Sequence, residues 1–202
     1  MKKIFSTLLV LFLIISKQSY GDDSKQARDF INKVGQEIIS TAKEDSSSLA
    51  KRSKIIKIID DSINPEWIAR FVLGINYRTA NEDQRNRFTD LYRKFMINTY
   101  GPKFKDYDGE SFEVTEVLQK KRIYLVKAEF VPSGSNVAIL VDFRVKKNGD
   151  RFYILDFITE GISLIETQRS EFNSAISQKG MEGFLKVLSD RVTELKKVNK
   201  QN

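Results

Sequence analysis

The 202-residue chain contains no histidine and no cysteine, which removes imidazole bases, thiol nucleophiles, disulfides and the commonest zinc ligands together. Its formal charge of +7 overstates its basicity, because Lys2, Lys3 and Lys17 lie in an N-terminal segment without acids, and setting those lysines aside leaves +4. Elsewhere lysines and acids are interspersed, with dense basic clusters only at Lys120-Lys121-Arg122 and Lys196-Lys197, so there is no nucleic-acid footprint.

The first segment reads as an address. Met1-Lys2-Lys3 is basic, and Ile4 to Ile15 is apolar except for Ser6 and Thr7. Ser19-Tyr20-Gly21 then places small residues three and one before a break at Asp22-Asp23. This pattern predicts a secretory signal peptide over residues 1–21, cleaved after Gly21, with 22–202 as one domain. The apolar run falls short of the ~20 residues that a spanning helix needs. No cysteine follows it, so it is not a lipoprotein signal. An exported domain without disulfides must rely on its core alone, which fits a bacterial periplasm.

Asp22 to Ala42 carries Ala27, Phe30, Ile31, Val34 and Ile38 on one helical stripe. A loop through Ser46-Ser47-Ser48 leads to a second helix containing Ile55, Ile58 and Ile59. Asn64-Pro65-Glu66 predicts a helix start, with Asn as cap, Pro at the first position and an acid at the positive end of the dipole. That helix is expected to end at Gly74. Thr79-Ala80-Asn81-Glu82 has capping-box spacing and predicts a long helix carrying Phe88, Leu91, Tyr92, Phe95 and Thr99 as far as Gly101-Pro102.

A short segment from Lys103 to Gly109 precedes four predicted strands: Phe112–Leu118, Arg122–Val131, Val137–Lys146 and Phe152–Ile158. Their connections contain Lys120-Lys121, Ser133-Gly134 and Asn148-Gly149, the last a strong hairpin signal. On the second strand Tyr124, Val126, Ala128 and Phe130 share a face. On the third, Val137, Ile139, Val141, Phe143 and Val145 do so. The result is one apolar wall that is either core or the lining of a cavity, and periodicity does not separate the two. Ser163 and Glu166 predict a further capped helix to about Gln178. Lys179-Gly180 breaks it, and a last helix runs from Met181 to about Val198. The fold class is therefore α+β: a four-stranded antiparallel meander covered by about six helices.

No constellation of residues proposes a reaction. Asp60-Asp61 sits at a helix end, where acids are usually solvated. Asp156 lies among apolar neighbours and is expected to be a buried acceptor of backbone or arginine hydrogen bonds. There is no Gly-rich phosphate loop and no nucleophile elbow. A small-molecule isomerase or dehydratase with a carboxylate in the cavity stays open as an alternative, as does an interaction module with a filled core. An apolar cavity suits a lipid: at about 0.8 kcal/mol per CH₂, a two-chain lipid with ~30 such groups faces something like 20–25 kcal/mol in water.

Two segments resemble the MlaC, or toluene-tolerance auxiliary, family of phospholipid-binding proteins. One is Trp67-Ile68-Ala69-Arg70-Phe71-Val72-Leu73-Gly74 with Tyr77-Arg78-Thr79-Ala80, Gln84-Arg85 and Phe88 behind it. The other, the more specific, runs from Glu160-Gly161-Ile162-Ser163 through Gln168-Arg169 to Phe172. Tyr100 also falls where the family tends to close its long helix with an aromatic. Phe152 departs from the pattern, which has tryptophan there; a large aromatic preserves the packing.

The resemblance implies a nuclear-transport-factor-2-like fold around an apolar cavity and a periplasmic shuttle without enzymatic activity. Its implied partners are an outer-membrane lipoprotein–porin complex and an inner-membrane ABC transporter. The acyl chains would lie in the cavity and the headgroup mostly in solvent. No cofactor is expected, the phospholipid being cargo. The alternation nominates Tyr124, Val126, Phe130, Val137, Ile139, Val141 and Phe143 as lipid-binding, with Phe71, Val72, Ile75, Phe95, Ile162 and Ile165 facing them. Glu160 and Arg169 are expected to fix the motif by hydrogen bonding.

Overall fold

The alternating runs fold into an antiparallel meander. The computed structural model describes residues 19–100, 102, 109–135 and 137–201. The predicted signal peptide up to residue 18, most of the 103–109 segment and Asn136 lie outside these. Strands β1 (Gly109–Lys120), β2 (Ile123–Pro132), β3 (Ile139–Asn148), β4 (Arg151–Thr159) and β5 (Ile162–Ser163) pair in sequence order. Tyr124 lies opposite Val145, Val126 opposite Phe143 and Ala128 opposite Val141, which builds the expected apolar face. The fifth strand is an addition to the four expected. It is a two-residue return closed by Glu160 and Gly161, both at positive φ (53° and 77°), the pattern of a type I′ turn. Two residues are too short to show an alternation, so this strand left no trace in the periodicity.

β1 is an edge strand, and helix α1 (Ser19–Ala42) covers its backbone. Arg28, Asn32 and Gln36 recur every four residues, so they form one polar stripe. Arg28 donates to the carbonyls of Val114 and Thr115, Asn32 accepts from the Val114 N–H (3.3 Å) and Gln36 donates to the Phe112 carbonyl (3.1 Å). Thr115 is the extra residue of a bulge between Val114 and Glu116, so Arg28 serves carbonyls at the disturbed point of the ladder. Beside that stripe Gly35 lies against the Phe112 ring so closely that a Cβ there would overlap it.

Helix α2 (Ser48–Ser62) is capped by Ser47, which accepts from the Ala50 N–H. Helix α3 (Pro65–Leu73) starts as predicted, with Asn64 accepting from the Trp67 N–H at 2.9 Å, and ends at Gly74 (φ 57°). Helix α4 (Ile75–Thr79) is one short turn, in a stretch where the sequence predicts no element between Gly74 and Thr79. It moves the next cap. Helix α5 (Glu82–Tyr100) is capped by Asn81, not Thr79. Asn81 accepts from the Gln84 N–H (2.9 Å), and Gln84 accepts from the Asn81 N–H (3.0 Å). Thr79 instead bonds back to the Asn76 carbonyl within α4. Asn81→Ala is therefore expected to cost about 1 kcal/mol and Thr79→Ala only a few tenths, a difference read from urea midpoints.

Helix α6 (Leu164–Gln201) is broken at Gly180 (φ 68°), where the sequence reading divided it. Ser163 caps it, accepting from the Glu166 N–H at 3.0 Å. The packed residues form two clusters. The first joins α1 to the sheet through Ala27, Ile31, Val126, Val141, Phe143 and Val145. The second joins α3, α5 and α6 through Val72, Leu73, Phe88, Tyr92, Phe172 and Leu185. Phe88 is fully buried in the second, with the rings of Tyr92, Phe172 and Phe184 within 6.1 Å of it. Among the described residues no helix is long and apolar enough to cross a membrane.

Candidate functional site

The two clusters do not close on each other. Between them lies a cavity of about 320 Å³, at the lower end of the range for ligand pockets. The sheet cluster supplies Ile31, Phe112, Val141, Phe143 and Ile154 to its lining, and the helical cluster supplies Ile68, Tyr92, Met96 and Ile165. Val34, Gly35 and Ile38 of α1 extend one wall, and Ile56, Ile59 and Ile63, in and after α2, form another. The cavity is thus the unfilled seam between two cores.

A bulge in β4 shapes its floor. Arg144 pairs with Asp156 and Val145 with Ile154, so Leu155 is the extra residue. The break in alternation lets Ile154, Leu155, Asp156 and Phe157 all reach the lining, which a regular strand forbids. Asp156 is the one carboxylate buried there, its side chain 3 % exposed. Its acceptor positions are occupied. Oδ1 takes the N–H groups of Phe157 (2.8 Å) and Ile165 (3.1 Å), and Oδ2 takes the Ser163 hydroxyl (2.6 Å) and Arg144 Nη1 (3.0 Å). This is the buried acceptor expected from the sequence. It ties β3, β4 and the start of α6 together, and Arg144 continues the chain to Glu166 at 2.6 Å.

The remaining charges of the lining are Asp60 and Arg93, and they neutralise each other. Arg93 grips the Asp60 carboxylate with Nε (2.7 Å to Oδ1) and Nη2, joining α5 to α2. This fork holds the guanidinium above its usual range, an effect that burial opposes. Both side chains reach solvent, so the pair marks where the lining meets water. Asp61 lies outside the lining and pairs with Lys57. Burial pushes the Tyr92 phenol far up, so it remains a donor and bonds Gln168. Among the described residues no group of acids is placed to hold a metal ion.

Of the residues nominated from alternation, Phe130, Val141, Phe143 and Ile165 line this cavity. Tyr124 and Val126 point the same way but lie in the filled part of the core, where Tyr124 meets Phe152 and Asp23. Val72 is buried in the helical cluster, and Phe95 packs against Phe172 there. Val137 (73 % exposed) precedes β3, and Ile139 (45 %) stands at its open end. Ile162 (63 %) sits in β5 beyond the turn, and Ile75 (64 %) opens α4 on the surface. Phe71 packs half-buried at the edge of the helical cluster beside Trp67, their rings stacked at 5.4 Å. These nine lie outside the lining because a shared face does not fix depth along a strand or helix. Arg169 also departs from expectation: it stacks on Phe71 at 5.0 Å, and its side chain makes no hydrogen bond among the described residues. The lining missed on α2 had a signal in Ile55-Ile56 and Ile58-Ile59, isoleucines on more of the helix than one neighbour can cover.

Residues 29–190 match the MlaC protein family, a span that contains every residue of the lining. The chain belongs to the MlaC family. A solved structure with the same fold is a phospholipid-binding protein from Ralstonia solanacearum in complex with a phospholipid. The two are 18% identical and superpose with a TM-score of 0.74 over 84% of this chain and 98% of the other. Within the MlaC match, the Glu160–Phe172 segment is the turn, cap and first helical turns that hold Asp156 in place.

Proposed function

We propose that the protein is a periplasmic carrier that encloses the acyl chains of a phospholipid in the cavity and shuttles it between membranes. Its route runs between an outer-membrane lipoprotein–porin complex and an inner-membrane ABC transporter, and its traffic maintains outer-membrane lipid asymmetry. The signal peptide over residues 1–21 delivers it there. The observation that carries this reading is the unfilled apolar seam. A hydrocarbon-lined cavity of about 320 Å³ forgoes packing that a filled core would supply, so it makes sense as a place for apolar cargo.

Membership of the MlaC family supports the reading, as does the phospholipid in the Ralstonia structure. The lining is hydrocarbon, and its Asp60–Arg93 pair stands at the solvent boundary, where a headgroup would emerge. Carriage needs no cofactor and no bond making. An isomerase on this fold would want Asp156 free to move a proton, and four donors already occupy it.

Native mass spectrometry of protein purified from a bacterial periplasm without detergent tests the reading. The expected result is a discrete added mass of one phospholipid, released on denaturation, with a higher Tm for the loaded form than for the stripped one. An apo mass that takes up no phospholipid from added vesicles overturns it.

A further inference from the structure

A second concave site, about 840 Å³, lies along α3 at the rim of the helical core, against which its Trp67, Phe71 and Tyr77 are packed half-buried. Trp67, Arg70, Phe71 and Gly74 follow the spacing of one helical face, opposite Ile68 and Val72. Arg78, Arg85 and Arg169 complete it with Tyr77 and the exposed Ile75. Four guanidiniums therefore share one hollow with three aromatic rings. The fold holds some of them firmly. Arg85 donates to the carbonyls of Tyr77 (2.8 Å) and Arg78 (3.3 Å) and lies 4.9 Å over the Tyr77 ring. Arg169 lies over Phe71 and close against Gly74, where a Cβ would sit 2.9 Å from Nη2.

The charges are not balanced. Arg70 pairs with Glu66 at 3.2 Å, an exposed bridge of little strength. No carboxylate of the described residues pairs with Arg78, Arg85 or Arg169. Clustered like charges repel, and the carbonyl bonds of Arg85 account for the placement of that guanidinium alone. Stacked arginines keep in-plane donors for a planar anion, and Arg with Trp and Tyr is the composition of interface hot spots.

We propose that this pocket docks an acidic segment of a partner protein. Its carboxylates enter the forks of Arg78 and Arg169, beside the Arg85 guanidinium that the Tyr77 and Arg78 carbonyls hold in place, and an apolar side chain rests on Ile75. A concave site favours a protruding chain over a flat lipid surface. The proposal is independent of the lipid reading, because the α3 core separates the pocket from the cavity.

Trp67 is the chain's only tryptophan, so its fluorescence reports this pocket. A fluorescein-labelled, glutamate-rich peptide carrying one leucine is titrated into the purified protein. Saturable binding is expected in both peptide anisotropy and Trp67 emission, and none with the matched lysine-rich peptide. Raising salt from ~50 mM to ~500 mM should weaken it at least tenfold as the Debye length shrinks. Arg169→Gln should weaken it at least tenfold. Arg78→Gln, at an exposed position with no side-chain partner to lose, should weaken it at least fivefold with an unchanged circular dichroism spectrum. Absence of saturable binding, equal binding of the lysine peptide, or full affinity in both variants overturns the proposal. So does binding, lost in Arg78→Gln, of phosphatidylglycerol vesicles alone, which would make the hollow a membrane contact.

Discussion

Replacing Asp156 by alanine is expected to cost about 3 kcal/mol and to lower the urea midpoint by about 1.5 M. The loss comes mainly from donors left without an acceptor. The Ile165 N–H and the Ser163 hydroxyl are buried beside the carboxylate, and the Phe157 N–H is partly so. Each stranded group costs about 1–3 kcal/mol, reduced where water can reach it. The Arg144 contribution is smaller, because its side chain is 35 % exposed and keeps Glu166 as a partner. Arg144→Met should accordingly cost only about 1 kcal/mol. The same experiment separates a scaffold from an active site. A catalytic acid aimed into a cavity is held at some cost to the fold, so its removal leaves stability equal or higher. An Asp156→Ala protein as stable as its parent would revive the enzyme reading.

Why the sequence revealed Asp156 but not most of the cavity follows from what local patterns encode. A lone acid in an apolar strand must find donors wherever the chain goes, so its role was legible without coordinates. The caps at Asn64 and Ser163 and the break at Gly180 are likewise local, set by side chains within a few residues. Thr79 failed as a cap because α4 inserted one short turn, and a five-residue helix has no periodicity to announce it. The strand faces were also legible, since Tyr124, Val126, Val141 and Phe143 are all buried as alternation required. Depth was not. Val126 and Val141 share a face, yet one is covered by α1 and the other borders the seam. That distinction depends on where the helical cluster stops, which is set by contacts between residues far apart in sequence. The Leu155 bulge hid the floor for the same reason: alternation assumes the regular strand that the site abandons.

Val141→Phe is expected to abolish phospholipid retention while leaving the fold as stable as before or more so. Val141 is the third residue of β3, paired with Ala128 on one side and Thr159 on the other, with its side chain on the cavity. Phenylalanine adds about four carbon atoms, and they enter existing space instead of displacing packed neighbours. Each acyl methylene they exclude forfeits about 0.8 kcal/mol of transfer free energy. Four excluded groups amount to about 3 kcal/mol, or roughly a 200-fold loss of affinity. The opposite sign applies to the empty protein, because filling a void commonly adds about 0.5–2 kcal/mol, worth roughly 2–4 °C in Tm for each kcal/mol at this chain length. Ile139→Phe supplies the control: it lies two residues earlier on the same face, but at the solvent end and outside the lining, so its lipid load should match the parent's. Native mass spectrometry gives the loaded fraction and thermal unfolding gives the stability. A folded Val141→Phe protein with a full phospholipid load would remove the cavity from the site of carriage. Loss of load in Ile139→Phe as well would move that site toward the open end of β3. Reduced load with raised Tm in Val141→Phe alone ties the void to its cargo, because the same space is then a defect when empty and a binding site when full.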